Sequence, residues 1–256
     1  MAGHSKWANI KRQKARVDAA KGKVFTKISR EIIVAARTGG ADPAGNFQLR
    51  TAIDKAKAAG IPNDNIDRAI AKGAGTIDSE DAALEAIRYE GYGLGGVAVL
   101  IEGLTDNRNR TAADLRSAFS KNGGNLGETG CVSWMFDQKG IVTLTGPIDE
   151  DQLLEASVQG EAEFYELTSV DETDGAEVFT EVSHLEHLNQ VLQEQGFNVV
   201  QAELRWIPNN TIEVDELETA QSLIKLMDAL EDLDDVQNVT ANFELSEACY
   251  QALEES

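Results

Sequence analysis

The chain changes its hydrophobic period near residues 73–79, and this change constrains its fold more than any other feature. Before residue 73, apolar residues recur every three or four positions, which is the spacing of amphipathic helices. After residue 79, short runs typical of strands alternate with helical segments. Residues 73–79 are rich in small and polar residues and are expected to form a linker. The sequence therefore predicts a small helical domain followed by a larger α/β part.

Three short helices are predicted in the N-terminal part. The first covers 24–37 and ends at a glycine pair. The second begins at Asp42-Pro43, an N-cap residue followed by a first-turn proline, and the third covers about 64–72. Their expected buried residues are Phe25, Ile28, Ile32 and Ala36 in the first, Phe47, Leu49, Ile53 and Ala56 in the second, and Ile66, Ala69 and Ile70 in the third.

Residues 138–206 contain a complete β-α-β-β-α-β order, which is typical of a ferredoxin-like domain. The predicted elements are a strand at 141–145, a helix at 150–159, a hairpin of 164–170 and 178–182, a helix at 184–195 and a strand at 199–206.

Two β-α-β halves flank this segment, and together they make a second ferredoxin-like order. The first half has strands at 97–103 and 131–137 around a helix at 111–121; the second has strands at 211–214 and 238–245 around a helix at 216–231. A further strand near 84–89 would pair with 97–103. The predicted fold class is α+β, and the predicted domains are 1–75, a discontinuous domain of 76–137 plus 207–256, and an inserted domain of 138–206.

Charge is distributed very unevenly along the chain. The whole chain has a net charge of −21, but residues 1–75 carry 15 Lys/Arg against 6 Asp/Glu, while the remainder carries 8 against 38. A basic segment on an acidic body indicates that the basic part binds a polyanion. Phosphates require charge and reach more than fixed geometry, which a basic arm supplies.

The candidate nucleic-acid-binding residues form three groups. An N-terminal arm contributes Lys6, Trp7, Lys11, Arg12, Lys14, Arg16, Lys21 and Lys23. Lys23 also belongs to a basic stripe with Lys27, Arg30 and Arg37, on the helix face opposite the apolar one. Arg108 and Arg110 precede a helix, and they either contact nucleic acid or pair with nearby acids and cap the helix. Trp7 either stacks on a base or anchors the arm.

Motifs for catalysis, cofactors and metals are weak by comparison. Residues 91–96 spell GxGxxG but precede a predicted strand, whereas a dinucleotide site requires a strand before and a helix after, so a turn is expected. His184 and His187 lack an evident third ligand and are expected to face solvent. Neither a P-loop nor a local Ser-His-Asp signature occurs. The sequence predicts a protein that is not an enzyme and has no cofactor, metal or catalytic residue.

Other features bear on environment and core. Cys131 and Cys249 have no CxxC partner and are expected to be buried thiols. Trp134 and Phe136 alternate on a predicted strand face and are assigned to core packing rather than to base stacking. The longest apolar run is too short for a membrane span, and no signal-peptide pattern is present, so a soluble cytoplasmic protein without membrane contact is expected.

Several segments closely resemble the YebC/PmpR family, which includes the mitochondrial translational activator of cytochrome c oxidase. They are G-H-S-K-W-A-N-I-K at 3–11, G-K-V-F-T-K-I-S-R-E-I at 22–32, I-P-N-D-N-I-D-R-A-I at 61–70, Y-E-G-Y-G-L-G-G at 89–96, L-T-D-N-R-N-R-T at 104–111, F-S-K-N-G-G-N-L-G at 119–127 and L-E-D-L-D-D-V-Q-N-V at 230–239. The resemblance runs nearly end to end, with small departures at Arg12-Gln13 and Leu94. It implies a three-domain, non-enzymatic cytoplasmic protein.

Two functions are compatible with the resemblance and the charge pattern. Bacterial relatives are described as DNA-binding transcriptional regulators, which makes transcription regulation the first hypothesis. The alternative is a ribosome-associated translation factor that binds ribosomal RNA, in which the acidic body meets basic ribosomal proteins. Charge slightly favours this alternative because a long duplex repels the acidic body. The target nucleic acid and the oligomeric state are left open by the sequence.

Overall fold

The computed structural model describes residues 21–76, 84–170 and 173–254. The α-helices in these ranges are α1 Lys21–Gly39, α2 Phe47–Ala58, α3 Asn63–Gly73, α4 Arg108–Lys121, α5 Glu150–Gln159, α6 Leu185–Glu194, α7 Leu217–Glu231 and α8 Glu247–Glu254. The strands are β1 Glu85–Tyr92, β2 Ala98–Thr105, β3 Asn125–Leu126, β4 Phe136–Thr145, β5 Ala162–Val170, β6 Thr173–Thr180, β7 Val199–Pro208, β8 Ile212–Val214, β9 Val236–Ala241 and β10 Phe243–Leu245.

These elements separate into two compact units. The second unit is Asp137–Ile207, and the first unit comprises the elements before and after it. Among the helices of the described ranges, none has the length and apolar character needed to span a bilayer.

Helices α1, α2 and α3 pack around a small apolar core in the first unit. Ile32 and Leu49 are fully buried in it, as the helical spacing predicts. The start of α2 differs from the prediction, because the helix begins at Phe47 and not at Asp42-Pro43. The side chain of Asn46 accepts a hydrogen bond from the Leu49 N–H at 3.0 Å, and its amide donates to the carbonyls of Ala35 and Gly40. Asn46 is thus both the N-cap and a link back to α1.

The hairpin of β1 and β2 forms the centre of the first sheet. The strands pair antiparallel from Glu85↔Thr105 to Tyr92↔Ala98, so the predicted extra strand near 84–89 is confirmed. A turn connects them, with φ of 69° at Gly95 and 77° at Gly96, which L side chains rarely adopt. The GxGxxG segment is therefore a turn, as expected.

The strands of this sheet follow the order β3-β1-β2-β9. Antiparallel pairing of β2 with β9 joins Val99 to Ala241 and Ile101 to Val239, so a strand after the second unit pairs with a strand before it. The predicted strand at 211–214 is present as β8, but it pairs in parallel with β10 in a separate two-stranded sheet. One edge of β2 pairs with β9 and the other with β1, because the short turn keeps eight residues of β1 in register with β2. Neither edge is left for β8.

The second unit has the predicted β-α-β-β-α-β order in β4, α5, β5, β6, α6 and β7. Its sheet order is β5-β6-β4-β7, with antiparallel pairing of β6 to both β4 and β5. Leu153 of α5 and Leu188 of α6 are fully buried. The α+β fold class, with a helical N-terminal region followed by α/β parts, is as predicted.

The predicted strand at 131–137 is wrong over most of its length. A short 3-10 turn occupies Ser133–Met135, and β4 begins only at Phe136. The carboxylate of Glu90 accepts hydrogen bonds from the N–H groups of Val132 at 2.7 Å and Ser133 at 2.8 Å, so these amides are used by a side chain and not by a sheet. Phe136 is buried as expected, but Trp134 is 68% exposed, which contradicts its assignment to the core.

Candidate nucleic-acid interface

The predicted basic arm lies mostly outside the described residues. Six of its members are in residues 1–20, namely Lys6, Trp7, Lys11, Arg12, Lys14 and Arg16. Lys21 is the first residue of α1. The remaining predicted site residues can be placed in the first unit.

Lys23 and Lys27 of the basic stripe point to the C-terminal end of α7. The Lys23 Nζ lies 2.7 Å from Asp232 Oδ1, and it also donates to the Asp232 carbonyl. The Lys27 Nζ donates to the carbonyl of Glu231, the last residue of α7. The unsatisfied carbonyls at a helix C-terminus carry partial negative charge, so this end of α7 attracts cations.

Arg30 is held more tightly than either lysine. Its Nη1 lies 2.7 Å from Asp235 Oδ1 and donates to the carbonyls of Asp234, at 2.6 Å, and Leu104, at 3.3 Å. Its side chain is only 19% exposed. Arg37, near the end of α1, donates to the carbonyl of Leu84 at 3.1 Å.

Asp235 collects hydrogen bonds from three parts of the first unit. Besides Arg30, its carboxylate accepts from Arg110 Nη2 at 2.8 Å, Thr111 Oγ1 at 2.7 Å and Thr105 Oγ1 at 3.2 Å. Burial raises the pKa of this carboxyl, but the hydrogen bonds from Arg110, Thr111 and Arg30 outweigh burial, and the net pKa lies below the ordinary value of an aspartate. Asp235 is therefore a buried anion with a full set of donors.

Arg108 and Arg110 both pair with nearby acids, which is the second of the two alternatives that the sequence left open. Arg108 Nε lies 2.6 Å from Glu85 Oε2, and Arg110 contacts Asp106 as well as Asp235. Hydrogen bonds to these two aspartates raise the pKa of Arg110. The helix cap itself is Asn107, whose side chain accepts from the Arg110 N–H at 3.1 Å.

A cleft of about 550 Å³ opens where α1, α4 and residues 231–235 meet. Three cations line it, from Lys23, Arg30 and Arg110. Five aspartates line it too: Asp106, Asp114, Asp232, Asp234 and Asp235. Because the acids outnumber the bases, this cleft does not suit a phosphate.

Lys27 and Arg30 were predicted as part of a basic stripe for nucleic acid, and in the structure both contact the segment that follows α7 or its last residue. Three members of the stripe, Lys23, Lys27 and Arg30, contact residues 231–235, a partner that was not predicted from the sequence. Four of these five residues are acidic, and this acidic run at the end of an amphipathic helix is the sequence feature that indicates a surface for cations.

Cations that are more accessible occur on the other two helices. Lys57 of α2 and Arg68 of α3 are exposed, and neither is ion-paired within the described part of the chain.

The weaker motifs take ordinary structural positions. His187 is exposed, and its Nε2 lies 3.1 Å from the Gln159 carbonyl. Cys249 is buried as predicted, whereas Cys131 is only partly buried. Burial and the negative charges of Glu90 and Glu128 raise the pKa of the Cys131 thiol. Over the ranges that the structure describes, no cluster of three or more His, Cys, Asp or Glu side chains is arranged to hold a metal ion.

Comparisons with known proteins agree over nearly the whole chain. Residues 5–76 match the family model of the TACO1/YebC protein N-terminal domain, and residues 84–243 match that of the TACO1/YebC second and third domain. A probable transcriptional regulatory protein of Trichodesmium erythraeum is 72% identical over 96% of each chain. One of Trichormus variabilis is 75% identical over 96% of this chain and 97% of its own.

A solved structure is also similar. The crystal structure of a conserved hypothetical protein from Aquifex aeolicus has a TM-score of 0.81 and 45% sequence identity, covering 91% of this chain and 94% of the other.

Proposed function

Because the chain belongs to the TACO1/YebC family, we propose that it is a cytoplasmic regulator of gene expression that binds nucleic acid, with DNA as its target. Its relatives carry the name probable transcriptional regulatory protein. The observation that carries the proposal is the charge of the first 30 residues, which hold nine basic side chains and one acid, Asp18. A segment of this charge attracts phosphates strongly and without regard to sequence.

The arm is the main contact in this proposal. The stripe residues and Arg108 and Arg110 already have carbonyl and carboxylate partners, so phosphates would have to replace those partners. The arm cations at 6–16, with Lys21, carry the first contact, and Lys57 and Arg68 extend it. Trp7 adds stacking if a base is unpaired.

An acidic second unit supports the alternative of a ribosome-associated translation factor that binds ribosomal RNA. Asp137–Ile207 contains 16 Asp/Glu and 2 Lys/Arg. Lys139 pairs with Glu163 and Glu181, and Arg205 pairs with Glu177 and Glu203. Both bases are therefore already bound to carboxylates, and the remaining acids leave the unit strongly acidic. A ribosome offers both RNA for the arm and basic proteins for this unit.

The test of the proposal is the salt dependence of binding. We expect log affinity for duplex DNA to fall steeply with log salt concentration, by roughly 0.9 per phosphate neutralised. The variant Lys11→Glu/Lys14→Glu should bind at least tenfold more weakly and show a shallower slope. The matched control is Lys121→Glu/Lys225→Glu, which makes the same charge change on exposed helix positions of the acidic part.

Equal losses of DNA affinity in the arm variant and the control would show that only net charge matters and would overturn the assignment to the arm.

Crosslinking in cells, followed by sequencing of the bound nucleic acid, separates the two hypotheses. Recovery of chromosomal DNA supports the first, and recovery of ribosomal RNA replaces it with the translation factor.

A further inference from the structure

Trp134 is unusual because a large aromatic side chain is left 68% exposed on a short 3-10 turn. Its indole N–H donates to the carbonyl of Cys131 at 3.1 Å. The same carbonyl accepts from the Tyr92 hydroxyl at 3.0 Å. The polar edge of the indole is therefore satisfied inside the protein, and the surface that remains for a ligand is the aromatic face.

The backbone under this indole is held by a buried carboxylate. Glu90 is 2% exposed and accepts from the N–H groups of Gly130 at 2.7 Å, Val132 at 2.7 Å and Ser133 at 2.8 Å. Val132 is fully buried beside the turn. A side chain held in this way loses little conformational freedom when it binds a partner.

Two exposed carboxylates flank the turn along the chain. Glu128 precedes Trp134 by six residues and is exposed. The exposed Asp137 follows Trp134 by three residues. Phosphates would be repelled here, which disfavours a nucleotide as the ligand, whereas a cation would be attracted by the carboxylates and by the aromatic face together.

We propose that Trp134 is a docking site for an arginine side chain of a basic partner protein. Tryptophan is the best aromatic partner for a cation, and the planar guanidinium stacks on its face. Glu128, an exposed carboxylate of the same unit, supplies complementary charge. The site is independent of the nucleic-acid function proposed above, because it uses neither the arm nor the stripe.

The test uses the full chain and a synthetic ten-residue peptide of alternating arginine and glycine. Titration should change the fluorescence of Trp134, measured as the difference between the wild type and Trp134→Phe. We expect Trp134→Ala to weaken peptide binding roughly three- to tenfold. Trp134→Phe should recover part of this loss, and a lysine-glycine peptide should bind more weakly than the arginine peptide.

The matched control is Leu154→Ala, which removes an apolar side chain that is 54% exposed in the acidic second unit. It should leave peptide affinity unchanged. Unchanged affinity in Trp134→Ala would overturn the proposal, as would an equal loss in the control.

A single-stranded oligonucleotide of ten thymidines completes the test. If Trp134→Ala weakens oligonucleotide binding and not peptide binding, the site takes a base and the proposal is wrong. Arm variants test DNA binding separately, so failure of one proposal is distinguishable from failure of the other.

Discussion

At the scale of single residues, Asp235 does most to connect the parts of the first unit. Its carboxylate, 8% exposed, accepts from Arg30 on α1 and from Arg110 and Thr111 on α4. Replacing it with asparagine leaves the Arg30 guanidinium without its anion and leaves Arg110 with Asp106 alone. We expect Asp235→Asn to lower the free energy of unfolding by about 2–4 kcal/mol, because a partly buried ion pair is broken from one side. Urea denaturation measures this change.

The control for this substitution is Asp114→Asn, which makes the same chemical change at an exposed position in the same cleft. It should change the free energy of unfolding by less than about 0.5 kcal/mol. Similar effects of the two substitutions would show that the cleft responds to net charge and that Asp235 has no special role.

The lowered pKa of Asp235 predicts a pH dependence with a definite sign. Since the folded-state pKa lies below the unfolded one, the stabilisation is complete above the unfolded value of about 3.9 and is lost as the pH falls through the folded value. We expect the stability difference between the wild type and Asp235→Asn to be constant above about pH 5 and to shrink below about pH 4. A difference that grows on acidification would contradict this assignment.

At the scale of elements, the turn around Trp134 depends on Glu90. Glutamine has the same shape but one acceptor oxygen in place of two, so Glu90→Gln should release at least one of the three amides of Gly130, Val132 and Ser133. We expect hydrogen exchange at these amides to accelerate more than tenfold. Glu128→Gln, an exposed neighbour, is the control and should leave their exchange unchanged.

The elements also show what the sequence could predict. The bounds of α5 and the buried face of α1 follow from apolar spacing alone, because that spacing records which side chains avoid water. The second contact face of α1 is made of cations, and its partner lies about 200 residues away, so no local pattern predicts it. Trp134 was misassigned for a related reason. Alternation suggested a strand, but a buried glutamate on β1 captures the amides that a strand would have used.

At the scale of the whole molecule, the two places where the first unit is interrupted in the sequence are close together within that unit. The Asn209 N–H donates to the Met135 carbonyl at 2.8 Å, so residues just before and just after Asp137–Ile207 are already hydrogen-bonded to each other. A linker of a few glycines can bridge them without straining the first unit. The sheet of that unit does not use the removed residues, since β9 pairs directly with β2.

We therefore expect a chain in which Asp137–Ile207 is replaced by three glycines to fold, and to unfold in a single cooperative transition monitored by circular dichroism. The fragment of residues 137–207 should fold separately, because its four strands and two helices form a complete β-α-β-β-α-β order. The control is a chain that ends before Val236, which removes β9, β10 and α8 and leaves an edge of β2 unpaired. Loss of cooperativity in the glycine-linked chain as well as in this control would show that the units are interdependent.

Since the excised unit carries 16 acids and 2 bases, the shortened chain should also bind duplex DNA more tightly at low salt, and this gain should disappear as salt screens the repulsion.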